Sequence, residues 1–313
     1  MRQTCLAQVH ELARRDPRVV FIGSDLGAGT LDGFRAEFPE RFFMEGVSEA
    51  NIIGMAAGLA LDGFIPYVNT IATFLTRRCY EQTAIDVCLH NLPVRLIGNG
   101  GGLVYAPLDP THEAIEDIAI MRALPHMTVV APADAVEMTR VMPLTLDWPG
   151  PVYIRLAKGN DPVVTDTLPA VGLDRAVLAR EGNAALLVTT GVGLQVALKA
   201  AAQLSASGLE ARVLHCPTVK PLDTALLLRA AVGMPVVITV EEHSIIGGLG
   251  SAVAETLLEA GLDPMPAFRR IGLPDVFADQ YGSQASLMTR YGITPEAVAG
   301  LVQSLSAARH ALR

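Results

Sequence analysis

The chain is poor in cysteine and in charge, and it has no long apolar run. Its four cysteines, Cys5, Cys79, Cys88 and Cys216, show no CxxC spacing. That argues against a zinc site or a disulfide framework and fits a reducing cytoplasm. Only 18% of residues are charged and the net charge is -8. Arg77-Arg78 and Arg269-Arg270 are pairs rather than patches, so the footprint of a nucleic-acid binder is missing. No stretch reaches the ~18 consecutive apolar residues of a membrane span, and the N-terminal segment reads as an amphipathic helix without a signal peptide's apolar core. A GxxxxGK[ST] phosphate loop, an HExxH pair and a strand leading into G-x-S-x-G are all absent. There is no low-complexity tract and no solenoid repeat.

What is present is hydrophobic. Half of the 313 residues are apolar and mean hydropathy is +0.37, an excess that suggests a large subunit interface. Apolar, β-branched runs alternate with helical patterns. Strands are expected at 19–23, 64–69, 93–98, 128–131 and 152–155, and helices at 73–89 and 115–124. A Pro/Gly/Thr-containing stretch, 162–172, reads as a boundary. Beyond it, strands at 184–189, 211–215, 236–240 and 268–271 alternate with helices at 193–207, 224–232 and 251–260. The expectation is an α/β protein of two parallel-sheet α/β domains, residues 1–165 and 166–313. Gly247-Gly-Leu-Gly250 precedes a helix and could favour an anion, but it fits a tight turn better.

The segment around Glu49 carries the most chemistry. Glu49 opens a helix in which every residue from Ile52 to Leu61 is apolar or glycine, which predicts burial on all sides. A carboxylate there either complements the helix dipole or is placed for proton chemistry.

Four segments in order resemble the C-terminal half of transketolase and its relatives, including 1-deoxyxylulose-5-phosphate synthase. They are EGVSEA (45–50), TFLTRRCYEQ (73–82), DPTHEAIEDI (109–118) and PVYIRL (151–156). PTVKPLD (217–223) and EEHSIIGGLGS (241–251) resemble the same family's C-terminal domain. The resemblance implies a thiamine-diphosphate pyrimidine-binding domain followed by a transketolase C-terminal domain. The family's diphosphate and divalent-metal site carries a Gly-Asp-Gly segment, which this sequence lacks. The chain is therefore expected to be the B-type subunit of a split transketolase, active with an N-terminal-type partner that holds Mg2+, in an α2β2 assembly containing a second copy of itself. The implied activity is transfer of a two-carbon ketol unit between a ketose and an aldose.

The resemblance also implies roles for individual residues. Glu49 would hydrogen-bond the cofactor's aminopyrimidine and so promote loss of the proton from its reactive carbon. Phe74 and Tyr80 would wall the pyrimidine pocket, although helix packing explains them too. Arg77 matches a deoxyxylulose-synthase arginine that could meet an anion, or is an exposed helix arginine. Asp25 matches an acidic residue near the thiamine, or is a loop cap. His112 would face the substrate and shuttle protons. Arg155 would grip a phosphate, or form an ion pair at a strand end. Ser24 and Gly100 complete the substrate-binding set. Glycines at 100–102 replace a second phosphate-binding histidine, and could bind an anion through backbone N–H groups or widen the pocket. Leu108-Asp109 replaces the usual Asp-Gly. The sugar is therefore expected to be anionic, and a branched one stays open. A 2-oxoacid dehydrogenase β subunit is the rival enzyme, disfavoured by the Pro-Thr-His loop. A catalytically silent binding subunit is the rival from another class.

Overall fold

The computed structural model describes residues 1–24, 29–157, 159 and 161–311, with side chains described through residue 307. Asp25 lies outside the described residues. Apolar runs give buried strands. β1 (Val19–Gly23), β2 (Phe42–Met44), β3 (Ile65–Ile71), β4 (Arg95–Asn99), β5 (Thr128–Val130) and β6 (Val152–Leu156) are mutually parallel, in spatial order β5-β6-β4-β3-β1-β2. Every residue of β1, β4 and β6 is buried, as a sheet covered on both faces requires.

The second sheet begins with β7 (Val177–Arg180), β8 (Ala185–Thr189) and β9 (Ala211–His215). The chain then returns to the first sheet, where β10 (Thr218–Lys220) pairs antiparallel with β5. β11 (Val236–Ser244) and β12 (Ala267–Leu273) complete the second sheet, in order β12-β11-β8-β9-β7. The architecture is α/β with parallel-dominant sheets, but each sheet ends on one antiparallel edge strand, β10 or β7. β10 is short because Pro217 and Pro221 flank it, and proline cannot donate to a ladder. It stitches residues beyond position 165 onto the first sheet.

Two expected elements differ. The helix Glu49–Leu61 buries Glu49, Ile52, Ile53, Ala56, Ala57 and Ala60, but its other face is open. Ala50, Asn51, Gly54 and Gly58 are exposed, and Leu61 is 67% exposed. The helix covers one side of the sheet as an outer layer, and its apolar sequence does not enclose it. The expected helix at 73–89 is broken. It runs as Ala72–Thr76, then Tyr80–Gln82, then a wide π-helical turn, Thr83–Cys88. The Arg78 N–H reaches the Thr73 carbonyl at 3.4 Å, one residue beyond α spacing. Such widened turns re-aim side chains and often mark functional sites.

The two sheets are joined at the C-terminal end of β6. Arg155 is 6% exposed and Asp117 fully buried, with Nε 2.8 Å from Oδ2. Arg155 Nη2 also donates to the carbonyls of Ala114 and of Glu242 in β11, while the Tyr153 hydroxyl donates to the same Asp117 oxygen at 2.7 Å. Ser244 N–H donates to the Ile115 carbonyl, and His243 Nε2 accepts from the Ala119 N–H. A buried pair of this kind is costly to break from one side, because the remaining charge cannot be rehydrated. Arg155→Met is expected to lower stability by ~3–5 kcal/mol, read by urea denaturation, and Arg155→Met with Asp117→Leu should recover most of that loss.

Candidate functional site

The C-terminal ends of β1, β3, β4 and β6 converge, the usual place for a ligand in a parallel sheet. Polar residues cluster there although the strands behind them are apolar. Ser24, just past β1, donates to Thr70 Oγ1 at 2.7 Å. Asn99, ending β4, donates from Nδ2 to Asn69 Oδ1 at 2.7 Å and to the Thr70 carbonyl. Glu45 and Gly46 N–H groups bond to the carbonyls of Gly23 and Ser24. This pins the approach to the Glu49 helix against the end of β1.

Glu49 is 2% exposed, and its Oε2 lies 2.8 Å from Nη1 of Arg78. The Arg78 guanidinium also sits over the Phe74 ring, 4.0 Å from its centroid. Phe74 meets the His112 ring edge-on at 5.3 Å, and Tyr105 approaches His112 at 6.3 Å. Glu49, Arg78, Phe74, His112 and Tyr105 thus form one continuous run of contacts. Cys79 is buried beside Glu49. Burial, reinforced by the Glu49 charge, pushes its thiol up to about 12, so it is inert.

The His112 loop is held from below. Arg77 pairs with Glu116, Nε to Oε1 3.0 Å, and Nη2 donates to the carbonyls of Pro110 and Thr111. The Thr111 hydroxyl lies 2.7 Å from His112 Nδ1. Asp109 adopts φ 65° and ψ -173°, a conformation normally left to glycine and costing ~1–3 kcal/mol elsewhere. Its carboxylate offsets part of this by accepting the Thr111 N–H at 2.9 Å, a bond that also lowers its pKa.

Several expected residues are thus placed together, namely Glu49, Phe74 and His112. Others are not. Arg155 is engaged through Nε and Nη2 in the joint with Asp117, which is the ion-pair alternative. Arg77 points to the loop carbonyls rather than toward Glu49. Tyr80 packs on the core and its hydroxyl donates to the Ile120 carbonyl, which is the helix-packing alternative. Ser24 is 2% exposed and bonded to Thr70. Nor do Gly101 and Gly102 offer an anion nest. The N–H groups of Gly101, Gly102 and Leu103 are used by Leu156, Ala114 and the Glu242 carboxylate. Their lack of side chains serves close packing, since a Cβ at Gly100, Gly101 or Gly102 would run into Tyr105, Arg155 or Glu242. Gly100 does line a cleft of about 340 Å³ with Asn99, Tyr105, Leu108 and Arg2.

With this geometry in view, the sequence matches the transketolase pyrimidine-binding domain over residues 1–163 and the transketolase C-terminal domain over residues 174–298. The chain belongs to the transketolase family. Among its relatives is the 6-deoxy-6-sulfo-D-fructose transketolase subunit SqwH of a Clostridium species, 37% identical over 95% of this chain and 92% of that one. The 1-deoxy-D-xylulose-5-phosphate synthase of Symbiobacterium thermophilum is 38% identical over 94% of this chain but only 45% of its own length. Among solved structures, a split-gene transketolase described as an inactive β4 tetramer superposes with a TM-score of 0.89 at 36% identity, over 98% of each chain. A mutant transketolase from Pichia stipitis, at 19% identity, shares the fold with a TM-score of 0.80 over 99% of this chain and 46% of that one.

Several residues in or beside this candidate site, Tyr105 among them, escaped the sequence reading. Arg78 follows Phe74 at helical i,i+4 spacing, a signal that was available. Arg2 sits in an amphipathic helix and gave no signal, yet it lines the cleft and has no carboxylate partner among the described residues. Glu113 is 1% exposed, and neither of its carboxylate oxygens has a hydrogen-bond partner. Burial, with the charges of Asp109 and Glu242, pushes it from 4.5 up to about 7. The folded protein therefore binds this proton more tightly than the unfolded chain does. The stability it contributes is full below about pH 4.5 and is lost as pH rises through about 7. Glu113→Gln is expected to add ~1–3 kcal/mol at about pH 8 and almost nothing at about pH 4, measured by thermal melts at both values. A gain equal at both would contradict the assignment.

Proposed function

We propose that the chain is the C-terminal-type subunit of a split transketolase, moving a two-carbon ketol unit between a ketose and an aldose. The observation that carries this is Glu49, a buried carboxylate directed at a site walled by Phe74 and adjoining His112. These residues fit the aminopyrimidine end of thiamine diphosphate: an enclosed hydrogen-bonding carboxyl and an aromatic face. The Gly-Asp-Gly segment that carries the family's diphosphate and metal site is not in this sequence. The divalent ion and the diphosphate are therefore assigned to an N-terminal-type partner. Met44, Val47 and Leu61, apolar and exposed around the Glu49 helix, support a covering chain. The likeness to a named subunit and to a split-gene chain over nearly their whole lengths supports it too. The α2β2 arrangement with a second copy is part of this proposal.

When bound, thiamine diphosphate supplies a carbon nucleophile able to cleave a C–C bond beside a carbonyl. Glu49 would hydrogen-bond the aminopyrimidine ring and hold it in register. His112 has Nδ1 engaged by Thr111, which leaves Nε2 to take and return protons of substrate hydroxyls. Arg77 keeps that imidazole in place through the loop carbonyls. Arg2 lines the cleft that also holds Tyr105, the neighbour of His112, and a cation there suits a sugar carrying a phosphate or sulfonate. The sulfonated sugar in the SqwH relative's name favours the same class.

Mixing the chain with its partner, thiamine diphosphate and Mg2+ should give ketol transfer from anionic ketoses; failure with every donor in a panel contradicts the proposal. Glu49→Gln should reduce turnover by at least ~10²-fold with assembly intact. Near-normal turnover would remove Glu49 from its role. Arg2→Ala should raise KM for anionic donors ~10-fold while sparing kcat and an uncharged ketose, and an equal effect on both donors would place the anion elsewhere.

A further inference from the structure

The Arg78 side chain touches the two residues read as the pyrimidine end of the site and no others among the hydrogen bonds and ring contacts described. Its guanidinium is flat and delocalised, lies 4.0 Å from the Phe74 ring centroid, and donates from Nη1 to Glu49 Oε2 at 2.8 Å. A planar nitrogen group stacked on an aromatic ring and bonded to a buried carboxylate is what an aminopyrimidine would also be in this place. Both groups cannot use the same ring face and the same oxygen. Arg78 is also free to leave. Its side chain is 46% exposed while Glu49 is 2% exposed, so it can swing into solvent without opening the core. The carboxylate cannot leave, and without a donor it would be buried and unpaired, which is costly.

We propose that Arg78 is a built-in cap: it occupies the cofactor's pyrimidine seat in the free chain and must be displaced for the site to load. The proposal rests on the reading of Glu49 and Phe74 as thiamine-diphosphate residues. It gives the free subunit a compensated Glu49 before assembly, and it makes loading an exchange of one donor for another.

Equilibrium dialysis of labelled thiamine diphosphate against the assembled enzyme tests it. Relative to wild type, Arg78→Ala should bind the cofactor more tightly, by up to about fivefold for a part-exposed pair. Arg78→Lys, which keeps the charge without the flat face, should fall between. In the free chain, Arg78→Ala should lower the melting temperature, and that loss should vanish in a Glu49→Gln background. Weaker or unchanged cofactor binding in Arg78→Ala overturns the cap, because Arg78 would then hold the cofactor or be irrelevant to it. If the wild-type assembly itself binds no thiamine diphosphate, the functional reading fails and the cap falls with it.

Discussion

The buried pair of Arg155 and Asp117 organises both the fold and the site. Arg155 is the penultimate residue of the inner strand β6, and Asp117 opens the helix that follows the His112 loop. Their contact, with the Ala114 and Glu242 carbonyls, ties strand, loop and second sheet at one point. Gly101 and Gly102 let this joint close, since Arg155 and Glu242 fill the space their side chains would take. Glu242 becomes a weak acid there, pushed up to about 7 by burial against the pull of Arg155. A loop that must hold an imidazole in a fixed place is thereby bounded by rigid neighbours on both sides, and the strain at Asp109 is tolerated because they over-determine the backbone.

Glu49 faces the opposite problem. Its helix presents it at the mouth of the sheet with one face of the helix uncovered, and a lone buried carboxylate needs a partner. Arg78 supplies that partner from a segment where α-helical spacing fails. The break between Thr76 and Tyr80 directs Arg77 toward the His112 loop and Arg78 toward Glu49. Two adjacent arginines therefore serve the two ends of one site, and neither is an ordinary surface charge.

The strands were legible in the sequence because buried parallel strands read as short apolar runs, and the alternation with helices left few architectures open. That Glu49, Phe74 and His112 would lie close together was legible because each lies inside a local motif. What was not legible depends on tertiary context. The apolar run of the Glu49 helix did not report that one face would stay open. Nothing local foretold that Arg155 would pair with Asp117, which lies 38 residues away in the chain. The short β10 was hidden between two prolines, and Arg2 reaches the cleft only through the packing of the first helix against β1 and the helix Ala135–Thr145.

The central claim is that this chain carries one half of a cofactor site and needs a second chain for the other half. Isothermal titration of thiamine diphosphate and Mg2+ into the chain alone, and then into its mixture with the N-terminal-type subunit, tests it directly. The account predicts no saturable binding to the free chain and one site per chain in the assembly. Saturable, stoichiometric binding to the free chain would contradict it.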